Sequence, residues 1–160
     1  QVLKNKRVYR IILHWAKARN PLRVRTCRGD VDDDGDLDMI ITNGFHQSTS
    51  YPARVFINEG MGKFVDSGQQ LSTATSAGVS LDDLGGDGDL DLFVGNYLRF
   101  DYNEHVMRTI DGIPRYPVPR DFKPVPDSLF RNNGDGTFAE VTTAAGLAAP
   151  CGCRSGRRCA

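Results

Sequence analysis

Residues Asp30-Val31-Asp32-Asp33-Asp34-Gly35-Asp36-Leu37-Asp38 constrain this chain more than any other stretch. Asp recurs at every second position, Gly35 interrupts the series once, and the apolar run Met39-Ile40-Ile41 follows directly. Carboxylates packed this closely repel one another, and left unneutralised they oppose folding. A hard divalent cation reverses that sign, because Ca2+ takes six to eight oxygen ligands and neutralises such a cluster. Gly35 permits the sharp turn that wraps a loop around an ion. An acidic solvated surface loop is the plain alternative. Solvation alone gives no reason to phase Asp, Gly and an apolar strand in this way.

Spacing narrows the kind of loop. With Asp30 as position one, carboxylates fall at positions one, three, five and nine: Asp30, Asp32, Asp34 and Asp38. Asp36, at position seven, would most simply offer its backbone carbonyl. An EF-hand needs a bidentate Glu at position twelve on a following helix. Position twelve is Ile41, and the residues from Leu37 to Thr42 are apolar and β-branched rather than helix-patterned. The loop leads into a strand, and the EF-hand reading fails on ligand and on context.

The motif returns 53 residues later as Asp83-Leu84-Gly85-Gly86-Asp87-Gly88-Asp89-Leu90-Asp91, followed by Leu92-Phe93-Val94. Asp83, Asp87 and Asp91 keep positions one, five and nine, while Gly85 replaces the carboxylate at position three. One fewer anionic ligand predicts a weaker second site. The parallel β-helix nonapeptide, another Gly/Asp calcium repeat, wants Asp where Leu90 stands and is set aside.

A second element also repeats. Val55-Phe56-Ile57-Asn58-Glu59-Gly60-Met61-Gly62-Lys63-Phe64-Val65-Asp66 aligns with Leu129-Phe130-Arg131-Asn132-Asn133-Gly134-Asp135-Gly136-Thr137-Phe138-Ala139-Glu140. Each reads as a short strand, a Gly/Asn turn and a second strand opened by Phe. Loop precedes hairpin both times, so the repeating unit is calcium loop, strand, connection, hairpin.

That unit resembles the FG-GAP/VCBS repeat of integrin-α-like β-propellers, on residues 29–44, 81–97 and 127–147. The last stretch, DSLFRNNGDGTFAEVTTAAGL, is closest in style to secreted propellers of the cartilage acidic protein type. Their relatives carry an ASPIC/UnbV region after the propeller, and none is visible in these residues. The resemblance implies an all-β fold, a partial β-propeller of slightly more than two blades. It implies one Ca2+ per loop, held by Asp30, Asp32, Asp34, Asp36 and Asp38 in the first and by Asp83, Asp87, Asp89 and Asp91 in the second. It also implies a role in extracellular recognition or adhesion, with a protein or carbohydrate partner.

Net charge is zero, but the average hides a division. Residues 1–29 hold nine Lys/Arg and no acid, and residues 150–160 hold three and no acid. All 20 acids lie in residues 30–149 against eight bases, a net charge of −12. Such a body suits cations and not nucleic acid. Residues 1–20, with Ile11-Ile12-Leu13 and Trp15 among bases, fit a basic amphipathic helix for membrane or partner contact, or a basic patch. The reading preferred on sequence is that 1–29 is an atypical basic segment and not a native blade edge. Leu22 to Arg28 alternates like a strand but carries Arg23, Arg25 and Arg28 where small residues are expected. The tail 150–160 breaks from the body likewise, and a truncated or mis-framed end accounts for both.

Cys27, Cys151, Cys153 and Cys159 all fall in these ends. Cys151-Gly152-Cys153 is too tightly spaced for a zinc knuckle, and His14, His46 and His105 are scattered. A disulfide is the alternative if the chain is secreted. Ile11-Ile12-Leu13 is far too short to span a membrane, and no signal-peptide pattern is visible. The chain begins without Met, so secretion would use an upstream leader.

The remaining divisions follow from pattern: 30–98 holds the first repeat and second calcium loop, 99–127 is a Pro-rich insertion, and 128–149 is the hairpin of the second repeat. The insertion carries Pro114, Pro117, Pro119, Pro124 and Pro126 with Tyr102, Tyr116 and Phe122. It cannot be a central strand. It is either a binding loop on a repeat scaffold or a plain spacer. A closed propeller needs four or more blades, so a fragment that requires neighbouring blades or further copies is expected, marginal on its own. No catalytic constellation is evident: Ser72, Ser76 and Ser80 lack a His partner and an elbow motif. The chain is therefore read as a non-enzymatic calcium-stabilised recognition module. A propeller fragment of a larger enzyme acting on extracellular carbohydrate is the alternative.

Overall fold

A computed structural model describes residues 24–43, 52–99, 108–118 and 121–149. The basic stretch 1–20, the three histidines and the Cys-containing tail lie outside these residues. The described chain is all strand and turn. Two four-stranded antiparallel sheets dominate it. The first runs in chain order: β1 (Val24–Gly29), β2 (Asp38–Asn43), β3 (Ala53–Asn58) and β4 (Phe64–Leu71). The second comprises β5 (Ser76–Asp82), β6 (Asp91–Asn96), β11 (Ser128–Asn132) and β12 (Phe138–Glu140), again paired in sequence order.

The two sheets share a register. Gly29 faces Asp38 and Met39 faces Phe56 in the first; Asp82 faces Asp91 and Leu92 faces Phe130 in the second. Both hairpins close on an Asn–Phe pair, Asn58 with Phe64 and Asn132 with Phe138. The turns need left-handed backbone, supplied by Gly60 and Gly62 in one and Gly134 and Gly136 in the other. Met61, between the first two glycines, also adopts positive φ.

Residues 24–29, grouped on sequence with the basic segment, form β1 and pair along their whole length with β2. Arg25 and Arg28 do not prevent this, because both side chains are exposed while Cys27 is half-buried and Gly29 buried. Arg28 alternates with Cys27 and Gly29 and faces away from them, while Arg25 shares their face and is exposed near the start of the strand. Cys27 is a free thiol, packed against the core, and burial pushes its pKa up to about 12.

The core lies between the sheets. Val31, Ile40, Ala53, Val55 and Leu71 from the first meet Leu92, Val94 and Phe130 from the second. Full burial of each large apolar side chain contributes about 1.5–3 kcal/mol, against the entropy of ordering it. In β2 every residue from Asp38 to Thr42 is buried, which explains why its apolar run is continuous rather than alternating. β1 lies against β5 so closely that a Cβ on Gly29 would fall 2.6 Å from Leu90 Cδ1 and 2.9 Å from Leu81 Cδ1. The second hairpin reaches back across the joint. Gln69 of β4 donates to the Gly136 carbonyl at 2.8 Å and accepts from the Phe138 N–H at 2.9 Å.

The insertion is neither a central strand nor wholly irregular. β7 (Leu98–Arg99) pairs with β10 (Lys123–Pro124), and β8 (Arg108–Ile110) pairs with β9 (Ile113–Arg115). Pro114 and Pro124 sit in two-stranded ladders, where a missing N–H is tolerated.

Candidate metal centre

The first Asp-rich loop connects β1 to β2 and is wound by its own carboxylates. Asp30 accepts from the N–H groups of Asp34 (3.1 Å) and Gly35 (2.8 Å), and Asp34 accepts from Asp36 N–H (2.8 Å). Gly35 turns the chain at φ 88°, and Asp33 adopts φ 58°. Asp38 closes the loop from inside. It is fully buried, with one oxygen accepting from Val31 N–H (2.9 Å) and the other from Asn58 N–H (2.8 Å). Asn58 completes the closure by donating its side-chain amide to the Leu37 carbonyl at 3.3 Å. The loop is thus clamped to its own hairpin.

This winding gathers Asp30, Asp32 and Asp38. One carboxylate oxygen of each lies within 4.8 Å of the others. Asp34 and Asp36 fall outside that group of three. Asp32 is half-buried, and its Oδ1 is enclosed without a hydrogen-bond partner. An enclosed, unpartnered carboxylate oxygen costs free energy unless something neutralises it. Burial, then the charges of Asp34 and Asp30, push the Asp32 pKa up. Burial raises that of Asp38 as well, opposed by its two backbone donors. Among the described residues no Lys or Arg forms an ion pair with this loop. The donor set is all hard oxygen, which suits Ca2+ rather than a thiophilic metal.

The second loop connects β5 to β6 and begins and ends alike. Asp83 accepts from Gly86 (2.7 Å), Asp87 (3.2 Å) and Gly88 (3.1 Å), and Asp91 accepts from Asn132 N–H at 3.0 Å. Its middle differs. Leu84 N–H donates to the Asp82 carbonyl, where the equivalent Val31 N–H donates to Asp38. Asp87 forms an ion pair with Arg131 at 2.5 Å, and the guanidinium holds the Asp87 carboxyl below its usual range. Among the described residues only the first loop brings three carboxylates together. Asp83, Asp87, Asp89 and Asp91 are not gathered in that way.

Three contributors escaped the sequence reading. Asn58 and Asn132 occupy the same place in the aligned hairpins, which was the available signal. Asn132 also donates to the Val31 carbonyl at 2.8 Å, so the second sheet's hairpin holds the first loop. Gly136 presses on that loop too: a Cβ there would lie 3.2 Å from Asp32 Cβ and 3.3 Å from Ile57 Cδ1. Nothing local in the sequence announces this contact.

Two antiparallel four-stranded sheets in matched register, each with an Asp loop between its first two strands, define an all-β repeat protein of the propeller type. The family model described as FG-GAP-like repeat matches residues 30–94, from the first loop through the second loop and most of β6. That match supports an FG-GAP repeat protein. No curated protein matches the chain. Among the described residues no helix is long and apolar enough to cross a membrane.

Proposed function

We propose that this chain is a calcium-binding module of an extracellular, propeller-type recognition protein, in which the metal is structural and no reaction is catalysed. The observation that carries the reading is the first loop. Asp30, Asp32 and Asp38 converge there, and Asp32 Oδ1 is enclosed without a partner. Calcium held by these carboxylates would supply charge neutralisation and lock β1, β2 and the first hairpin together through Asp38 and Asn58. Extracellular calcium suits such a site, because extracellular modules can tolerate weak affinity. The insertion 99–127 is the proposed recognition element, as a long connection on a repeat scaffold. Its partner would be a protein or a carbohydrate.

Calorimetric titration of chelator-treated protein with Ca2+, and with Mg2+ as control, tests this. Binding of Ca2+ with weaker or absent Mg2+ binding is expected, and Asp32→Asn should abolish it. A folded sample that binds no Ca2+ would reject the reading.

A further inference from the structure

Arg131 is the one charged residue in the strands of the second hairpin that replaces an apolar strand residue of the first; Asp135, opposite Met61, lies in the turn. The counterpart of Arg131 is Ile57, which packs against the core. The registers match: Ile57 faces Val65 across its hairpin and Arg131 faces Ala139. The side chain of Arg131 reaches Asp87 at position five of the second loop, Nη2 to Oδ2 at 2.5 Å. We propose that Arg131 is the resident cation of the second Asp loop, and that this loop takes no metal. The inference rests on the calcium reading of the first loop only for its expected stoichiometry of one.

Three further features agree. Position three is Gly85, and a Cβ there would meet Asp87 Oδ1 at 3.1 Å and Oδ2 at 3.2 Å. The Asp87 carboxylate already crowds the place where the third ligand would begin. The Leu84 N–H pairs with the Asp82 carbonyl, so the loop is not closed onto Asp91 as the first is onto Asp38. The acid count is also matched to a smaller counter-charge, with six Asp in residues 30–38 and four in 83–91. The pair is partly exposed, so its contribution to stability is small. Its effect on a metal is larger. A unit positive charge about 4 Å from a divalent ion lowers affinity by roughly tenfold or more, even at the dielectric of water.

The test is calcium calorimetry on the whole protein and three variants, with thermal unfolding in chelator alongside. The native chain and Asp83→Asn should each bind one ion with the same Kd. Gly85→Asp combined with Arg131→Ile, which rebuilds the first loop's pattern, should bind two. Gly85 has no left-handed φ, so the new side chain imposes no backbone strain. Two events in the native chain, one of them lost in Asp83→Asn, would overturn the inference while leaving the calcium reading intact. A folded double variant that still binds one ion would overturn it as well. If the native chain binds none, the calcium reading fails alone, and melting decides about Arg131. Arg131→Ile should lower Tm in chelator at low salt; an unchanged Tm would contradict its role as the loop's cation.

Discussion

Residues 30–38 and 83–91 fold alike at both ends and differ in the middle. Each begins with an Asp that caps the turn through backbone N–H groups, and each ends with an Asp that accepts from the hairpin Asn. Between those anchors the first loop concentrates carboxylates with no side-chain cation among the described residues. The second drops one carboxylate and recruits Arg131. The anchors serve the fold in both loops, and in the first they also stand beside Asp32 as two of its three gathered carboxylates. A repeated motif need not be a repeated site.

The largest expected effect separates the anchors. Asp38 is fully buried and satisfies two N–H groups, whereas Asp91 accepts from one hairpin N–H. In chelator, Asp38→Ala should cost about 2–4 kcal/mol, as two buried donors lose their acceptor, and Asp91→Ala about half that. Urea denaturation reads both, and equal losses would erase the distinction. Next comes the joint between the sheets. Gly136→Ala should cost more than the roughly 1–2 kcal/mol set by its positive φ, because the new Cβ also meets Asp32 and Ile57. Gly35→Ala has the same backbone penalty and nothing within 4 Å, so it should cost less.

These differences mark what the sequence exposed. The 53-residue recurrence of the loop and the aligned hairpins specified both sheets, because loop chemistry and turn glycines are local signals. β1 was obscured by Arg25 and Arg28, whose exposure is decided by pairing and not by propensity. The insertion's two small ladders were hidden by proline, which excludes a central strand but not an edge. The hydrogen bonds of Gln69 to the second hairpin and of Asn132 to the first loop span 67 to 101 residues and have no local signature. Arg131 was visible only as a mismatch to Ile57, and its meaning required the distance to Asp87.

Gln69→Ala tests that joint more gently. Loss of its two hydrogen bonds to the second hairpin should cost about 1–2 kcal/mol by urea denaturation, and no change would mean the sheets are held by packing alone. The smallest effect carries a sign. Asp32 has its carboxyl raised above the ordinary 3.8 by burial and by Asp34 and Asp30. The folded metal-free chain therefore holds that proton more tightly than the unfolded chain. Its stability should rise as pH falls through the folded pKa toward 3.8, and the gain is absent at neutral pH. Asp87 has the opposite sign: its contribution is present above 3.8 and lost as pH falls through its depressed value. In chelator at neutral pH, Asp32→Asn should stabilise by less than about 1 kcal/mol. Destabilisation there would mean the enclosed oxygen is already satisfied.

Thermal unfolding of the native protein and Asp32→Asn, each in Ca2+ and in chelator, tests the central claim most directly. The native Tm should rise with Ca2+, while the variant should melt at one temperature in both and slightly above the native chain in chelator. A native Tm indifferent to Ca2+, or a variant that responds as the native chain does, would contradict a structural metal in the first loop.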